Sequence, residues 1–338
     1  MKKSFGVLPS GEQTHLYTIR GGALEAEVCD FAAAIVRLRF TDAQHNTTDV
    51  VLGYDDVTQY YTEKDYIGAT VGLSANRICK GRFPMGDRMV QMDQNDKGNN
   101  LHSGKDSFAF RMWKVEKHTE NSIVLYNFSP DGDQGLPGNA HIRVTYTLEY
   151  PASLRIRYDG ICDRDTVFNM TNHAYFNLAG HDKPHLAMDQ LLMMPARHYT
   201  PTDALLIPTG ELRPVEGTPM DFRIPKPIGR DLDRDYECLK LAGGYDHNFE
   251  VFAQPCAVLT DPHSGRSMAM YTDRPGLQFY SGNFLYNVRG KDGVTYGKNS
   301  GVALESQFYP DSVNHPQWEQ PFVPANTPYR SETVYSFR

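Results

Sequence analysis

The sequence predicts an all-β protein, a single large antiparallel β-sandwich, and three observations predict it. Several short segments of the 338-residue chain alternate apolar and polar residues with the two-residue period of a strand. Amphipathic periodicity of the helical kind, sustained over three turns, is scarce. The 28 Gly and 21 Pro are spread evenly and mark turns, with no linker, low-complexity stretch or solenoid-length repeat. Length alone gives a prior of about two domains. Sandwiches of this size nonetheless form one cooperative body, so residues 1–338 are expected to be one domain.

In chain order, Ile35-Val36-Arg37-Leu38-Arg39-Phe40 reads as a strand. Asp55 to Lys64, with Val57, Tyr60 and Tyr61, gives a hint of a short helix. Ser122-Ile123-Val124-Leu125-Tyr126 is again a strand. Ser129-Pro130-Asp131-Gly132-Asp133 and Gly135-Leu136-Pro137-Gly138-Asn139 then combine fixed-φ Pro with φ-permissive Gly, the chemistry of tight turns. From His141 to Tyr150 the chain puts Ile142, Val144, Tyr146, Leu148 and Tyr150 on one face and His141, Arg143, Thr145, Thr147 and Glu149 on the other. That is a half-buried antiparallel strand. After Pro151-Ala152-Ser153 the pattern resumes in Leu154-Arg155-Ile156-Arg157-Tyr158.

Bulk properties exclude some functions. A formal net charge of −7, with both signs mixed throughout, argues against nucleic acid or an anionic membrane surface as partner. No run approaches the ~18 apolar residues that span a bilayer, and Met1-Lys2-Lys3-Ser4-Phe5-Gly6 turns polar before a signal-peptide core develops. A cytoplasmic location is expected. Cys29, Cys79, Cys162, Cys238 and Cys256 are odd in number, dispersed and without Cys-x-x-Cys spacing, which fits reduced thiols.

Function is written where alternation breaks down. Asn169-Met170-Thr171-Asn172-His173-Ala174-Tyr175-Phe176-Asn177-Leu178 crowds amide, hydroxyl, aromatic and imidazole side chains into one segment. Such a set suits a sugar: aromatic faces pack on its C–H surface, amides and hydroxyls bond its OH groups, and a His moves protons near neutral pH. Further polar clusters stand at Gly72–Ile78, Asn99–Gly104, Gly244–Phe249, Gly276–Asn283 and Ala303–Asp311. Converged, they supply an Arg, two or three His, an Asp, a Gln and a Glu. A lone His in a β protein is usually a hydrogen-bonded structural residue, and His141, His181 and His185 are read that way. Glu305 differs, because it follows Val302-Ala303-Leu304, where a buried carboxylate needs partners or a function.

The His173 run resembles the Asn-x-Thr-Asn-His-x-Tyr-Phe-Asn-Leu signature of the aldose 1-epimerases, or galactose mutarotases. The resemblance covers the whole chain in order: Asn76-Arg77-Ile78 with Gly81-Arg82-Phe83, Leu101-His102, the Pro- and Gly-rich turns at 129–139, Ile207–Glu211, Gly217–Arg223, Tyr245–Asn248, Pro275–Asn283, and Leu304-Glu305 with Pro310-Asp311. It implies the galactose mutarotase-like supersandwich and interconversion of α and β anomers of free aldoses such as galactose or glucose. It implies Glu305 as general base and His173 as general acid, with Asn76, Arg77, His102, Asp246 and Gln278 contacting the sugar. Two departures stand near the site: Leu73-Ser74 replace an Arg and an aromatic common in the family, and Ser103 replaces a Gly.

The reaction needs two proton transfers and a bond rotation, so neither cofactor nor metal is implied. A small-molecule aldose is the expected partner, and the chain is expected to act as a monomer or homodimer. On this reading Glu305 is ionised and His173 protonated in the free enzyme, with neighbouring charge raising the His pKa. Other functions fit some of the same residues. A glycoside hydrolase would use Glu305 and Asp246 as a carboxylate pair. A sugar-phosphate mutarotase would need an added cationic cluster, and a non-catalytic sugar-binding protein would keep the fold without the chemistry. A cupin-like metal site would use His102, His173 and Glu305, though no His-x-His spacing supports it.

Overall fold

The computed structural model describes residues 1–338. Its elements are overwhelmingly antiparallel strands, arranged in three principal sheets. The N-terminal sheet is a five-stranded meander of Lys2–Val7, Gln13–Gly21, Leu24–Cys29, Ile35–Thr41 and Thr47–Asp49. A nine-stranded sheet runs from Lys114–His118 through Ser122–Ser129, Ala140–Glu149 and Ser153–Cys162 to the C-terminal strand Tyr329–Phe337, and continues beyond it. A six-stranded sheet is centred on Val302–Gln307, Gly276–Tyr280 and Asp246–Glu250.

The alternation read at 141–150 is realised over Ala140–Glu149, where Ile142, Val144, Tyr146 and Leu148 are fully buried. At roughly 1.5–3 kcal/mol for each such side chain, this face locks the register against a one-residue slip. Tyr150 is the exception. It is 88% exposed, because the strand stops at Glu149 and the turn through Pro151 carries residue 150 out of the sheet. One buried apolar cluster takes side chains from all three sheets, among them Ile19 and Leu38, Tyr146 and Tyr335, and Phe279 and Leu304.

The expected short helix exists as Val57–Thr62, with the Asp56 carboxylate accepting from the Thr58 N–H at its start. A second helix, Glu237–Ala242, ends on Gly243 in the left-handed region (φ +67°). Its turn and a half is too short to register as periodicity. No helix is long and apolar enough to cross a membrane.

Candidate active site

The six-stranded sheet presents two unlike faces. Its register aligns Asn248, Gln278 and Glu305 across three strands, with Asp246, Tyr280 and Ala303 in the next row. Pleating therefore sends Asp246, Asn248, Gln278, Tyr280, Glu305 and Gln307 to one side, and Phe249, Leu277, Phe279 and Leu304 into the core on the other. His247, adjacent to Asp246, falls on the core side, where its Nδ1 accepts from the Asp246 N–H. It is the third histidine of the sequence clusters and it does not reach the site.

His173 is held above the Glu305 end of the polar face by its own segment. Thr171–Asn172 pairs with Thr70–Val71, and Tyr175–Phe176 pairs with Val302 and Ala303. Between these strands the His173 N–H donates to the Ala69 carbonyl, and the His173 carbonyl accepts from Gly68. The buried Asn172 amide ties the bend by donating to the Gly68 carbonyl and accepting from the Ala174 N–H. This double anchoring leaves His173 Nε2 3.7 Å from Glu305 Oε1. Asn169, opening the same segment, accepts from the Phe308 N–H beyond the Glu305 strand.

A second wall comes from Arg77–Ile78 paired with Asn100–Leu101. Asn76 (φ +61°), His102 (φ +51°) and Ser103 (φ +72°) all occupy the left-handed region. Such residues cost about 1–3 kcal/mol each and persist where surroundings over-determine them. Here the bracing is visible: the Asn76 N–H donates to His102 Nδ1 at 3.1 Å, and the His102 N–H returns to the Asn76 carbonyl. The Ser103 hydroxyl brackets Ser74, accepting from its N–H at 2.8 Å and donating to its carbonyl at 3.1 Å. Ser74 and Ser103 thus stand behind His102 rather than on the cavity wall, and Leu73 belongs to the core. These departures from the family pattern brace the loop and do not line the cavity.

The walls enclose a small cavity of about 120 Å³, open to solvent. Asn76, Arg77, His102, His173, Asp246 and Glu305 all line it. Gln278 does not; it lies one layer back and donates to Asp246 Oδ1 at 2.6 Å. Sequence reasoning missed Lys64, Asp65, Tyr66, Leu101, Tyr175, Tyr280 and Phe284, which complete the lining. Tyr175 and Tyr280 sat inside the polar runs and followed from the aromatic-on-sugar argument; Tyr66 carried no local signal. Tyr66, Tyr175 and Tyr280 surround the His173 ring at centroid distances of 6.0, 5.0 and 6.2 Å. His181 and His141 lie elsewhere, on the hydroxyls of Tyr296 and Tyr126.

Electrostatics reverse the expected resting protonation of the acid–base pair. Burial lowers the His173 pKa to about 4, only partly opposed by a hydrogen bond to its own backbone and by the Asp246 charge. Burial raises Glu305 well above the usual carboxylate range; Asp246 pushes it further and Arg77 opposes. Desolvation thus penalises both charges of a His173–Glu305 ion pair and favours its neutral form, with the proton on Glu305. Glu305 Oε2 is buried without a hydrogen-bond partner.

His102 is depressed well below the ordinary imidazole value, by burial first and then by His173 and Arg77. Because its Nδ1 accepts from a backbone N–H, the proton of the neutral ring stands on Nε2. This bears on metal binding. Ligand atoms of His102, His173 and Glu305 lie within 4.8 Å of one another. For His102 Nε2 to ligate, its proton would have to move to the nitrogen that already faces the Asn76 N–H. The trio therefore offers a hydrogen-bond donor where a metal site needs a lone pair.

Comparison with known proteins bears on the family. The sequence model of the family described as aldose 1-epimerase matches residues 15–336. The chain is 39% identical to a galactose mutarotase of Mus musculus, over 98% of this chain and 97% of that one. It is 36% identical to an aldose 1-epimerase of Haemophilus influenzae, over 92% and 91%. Among solved structures, an aldose epimerase homologue from C. elegans superposes with a TM-score of 0.89 at 29% identity, over 96% of this chain and 99% of that one. Signature, sandwich, cavity and relatives converge on one assignment: the chain belongs to the aldose 1-epimerase family.

Proposed function

We propose that this protein is an aldose 1-epimerase, interconverting the α and β anomers of a free aldohexose such as galactose or glucose. The observation that carries the reading is the His173–Glu305 pair, 3.7 Å apart, facing a cavity that also holds a guanidinium and a neutral imidazole donor. Glu305 accepts the C1 hydroxyl proton while His173 donates its proton to the ring oxygen, and the C1–O5 bond breaks to give the aldehyde. Rotation by a half turn about C1–C2 presents the other carbonyl face. O5 then attacks C1, its proton returns to His173, and Glu305 protonates the new C1 oxygen. Every proton is restored, so nothing is consumed.

The cycle starts from the charged microstate, with the shared proton on His173. A sugar hydroxyl donating to the Glu305 carboxylate favours its charged form. His102 Nε2–H and the Arg77 guanidinium are placed to hold sugar oxygens, keeping the open chain bound while it rotates. Asp246 makes a poor hydrolase nucleophile, because Gln278 Nε2 and Arg77 Nη1 hold its two oxygens at 2.6 and 3.6 Å. Lys64 and Arg77 are the cationic side chains of the lining, and Arg77 is bound to acids, which supports unphosphorylated sugars. The cavity is formed within one chain and the five thiols are unpaired, which supports a single catalytic body, cytoplasmic, acting as a monomer or within a homodimer.

Polarimetry tests the proposal. Freshly dissolved α-D-galactose or α-D-glucose is expected to reach anomeric equilibrium faster with the protein than in buffer, without cofactor and with chelator present. Rotation that decays at the buffer rate across an aldose panel would sink the reading, and reducing sugar released from an aryl glycoside would favour the hydrolase. Arg77→Ala is expected to lower kcat/KM by about 10–100-fold, the value of a charged hydrogen bond or two. Arg77→Lys should recover only part, because an ammonium lacks the planar fork. Unchanged kinetics in both variants would place Arg77 outside the sugar contacts.

A further inference from the structure

Arg77 is buried beside Glu305, and something must fix the roll of its guanidinium. Arg77 Nε donates to Asp96 Oδ2 at 2.9 Å, while Nη1 approaches Asp246 Oδ2 only to 3.6 Å. No other side-chain hydrogen bond engages Arg77, so the Nε bond orients the group and leaves the Nη donors for a ligand. Asp96 in turn makes no side-chain hydrogen bond except this one, and it does not line the cavity.

The segment carrying Asp96 is braced by hydrogen bonds. Asp96 and Asn99 exchange backbone hydrogen bonds at 3.0 and 2.8 Å. The Asn95 amide clamps both the N–H and the carbonyl of Leu101, and Asn99 Oδ1 accepts from the Lys80 N–H. The same stretch ends in His102, whose Nδ1 takes the Asn76 N–H. A single loop therefore contacts Arg77 and carries His102.

We infer that Asp96 is a positioning residue for the sugar site, anchoring Arg77 through Nε so that its Nη groups stay turned to substrate oxygens. The inference rests on the mutarotase reading above. A carboxylate with no other partner, tied to the inner nitrogen of a cavity-lining arginine by a braced turn, is placed to orient that arginine and never to touch the sugar.

A double-mutant cycle tests it, with mutarotation kinetics and calorimetric binding of galactose as separate readouts. Asp96→Ala is expected to lower kcat/KM about 10-fold, chiefly by raising KM, and to weaken galactose binding in step. Asp96→Asn should stay within about 3-fold of the parent, because its amide oxygen accepts the same N–H. In an Arg77→Ala background, Asp96→Ala should change either readout by less than about 2-fold. Should Asp96→Ala fail to fold, Asp96→Glu takes its place: it keeps the charge, displaces the acceptor, and is expected to raise KM. Parent-like KM in the alanine variant, a lowered Tm with unchanged KM, or losses that add fully in both backgrounds would overturn the inference. A parent protein that neither binds galactose nor accelerates mutarotation would instead overturn the proposed function.

Discussion

Glu305→Gln is expected to fold as the parent does and to lose about 10³-fold or more in kcat, with KM little changed. Glu305 sits mid-strand in register with Gln278, so a second amide of the same shape fits the row without moving backbone. The amide keeps a hydrogen-bonding oxygen for substrate but cannot accept the C1 proton, so the loss falls on the chemical step. A gain in stability should accompany the loss. Burial raises the Glu305 pKa above its unfolded value, so the folded state binds the extra proton across that interval. The parent's stability on this account is complete below the ordinary carboxylate range and falls as pH rises through the raised value. Gln carries no such penalty, so its Tm advantage over the parent should be near zero in acid and grow with pH. If the variant retains parental mutarotation while its circular dichroism is native, the base lies elsewhere.

The parts of this molecule that were legible from sequence are those where one face of an element is apolar and the other polar. Ala140–Glu149 and its neighbours announced themselves because their outer faces carry Arg, Thr and Glu. The six-stranded sheet did not, since both of its faces are buried and the inner one is lined with amides and acids. Its function was legible for that very reason: Asp246, Gln278 and Glu305 stood out as polar residues where strands should be plain. Tyr150 was misplaced because alternation carries no marker for where pairing ends. Tyr66 and Asp96 stayed hidden, one an isolated aromatic in a loop, the other one acid among many Asp and Asn. The protonation of the pair was illegible in principle, because it is fixed by desolvation from segments more than a hundred residues apart in the chain.

That reversed protonation leads to the second large effect, His173→Asn, which is expected to lower kcat by about 10²–10⁴-fold and to change the shape of the pH profile. In the parent, kcat/KM should be bell-shaped, because the competent pair holds one proton: none leaves no acid, and two leave no base. With His173 near 4 and Glu305 raised, the first proton lost on leaving acid comes from His173 and the second from Glu305. The acidic limb thus reports mainly the imidazole and the alkaline limb the carboxylate, opposite to the order of their ordinary values, as apparent constants of a coupled pair. In His173→Asn the residual reaction needs only an ionised base. Its kcat/KM should rise monotonically with pH, with a midpoint well above the usual carboxylate range and no alkaline fall. A rise centred near pH 4 would show that burial does not control Glu305 in solution. A profile still bell-shaped, or activity within a few-fold of the parent, would mean that His173 is not the group that protonates the ring oxygen.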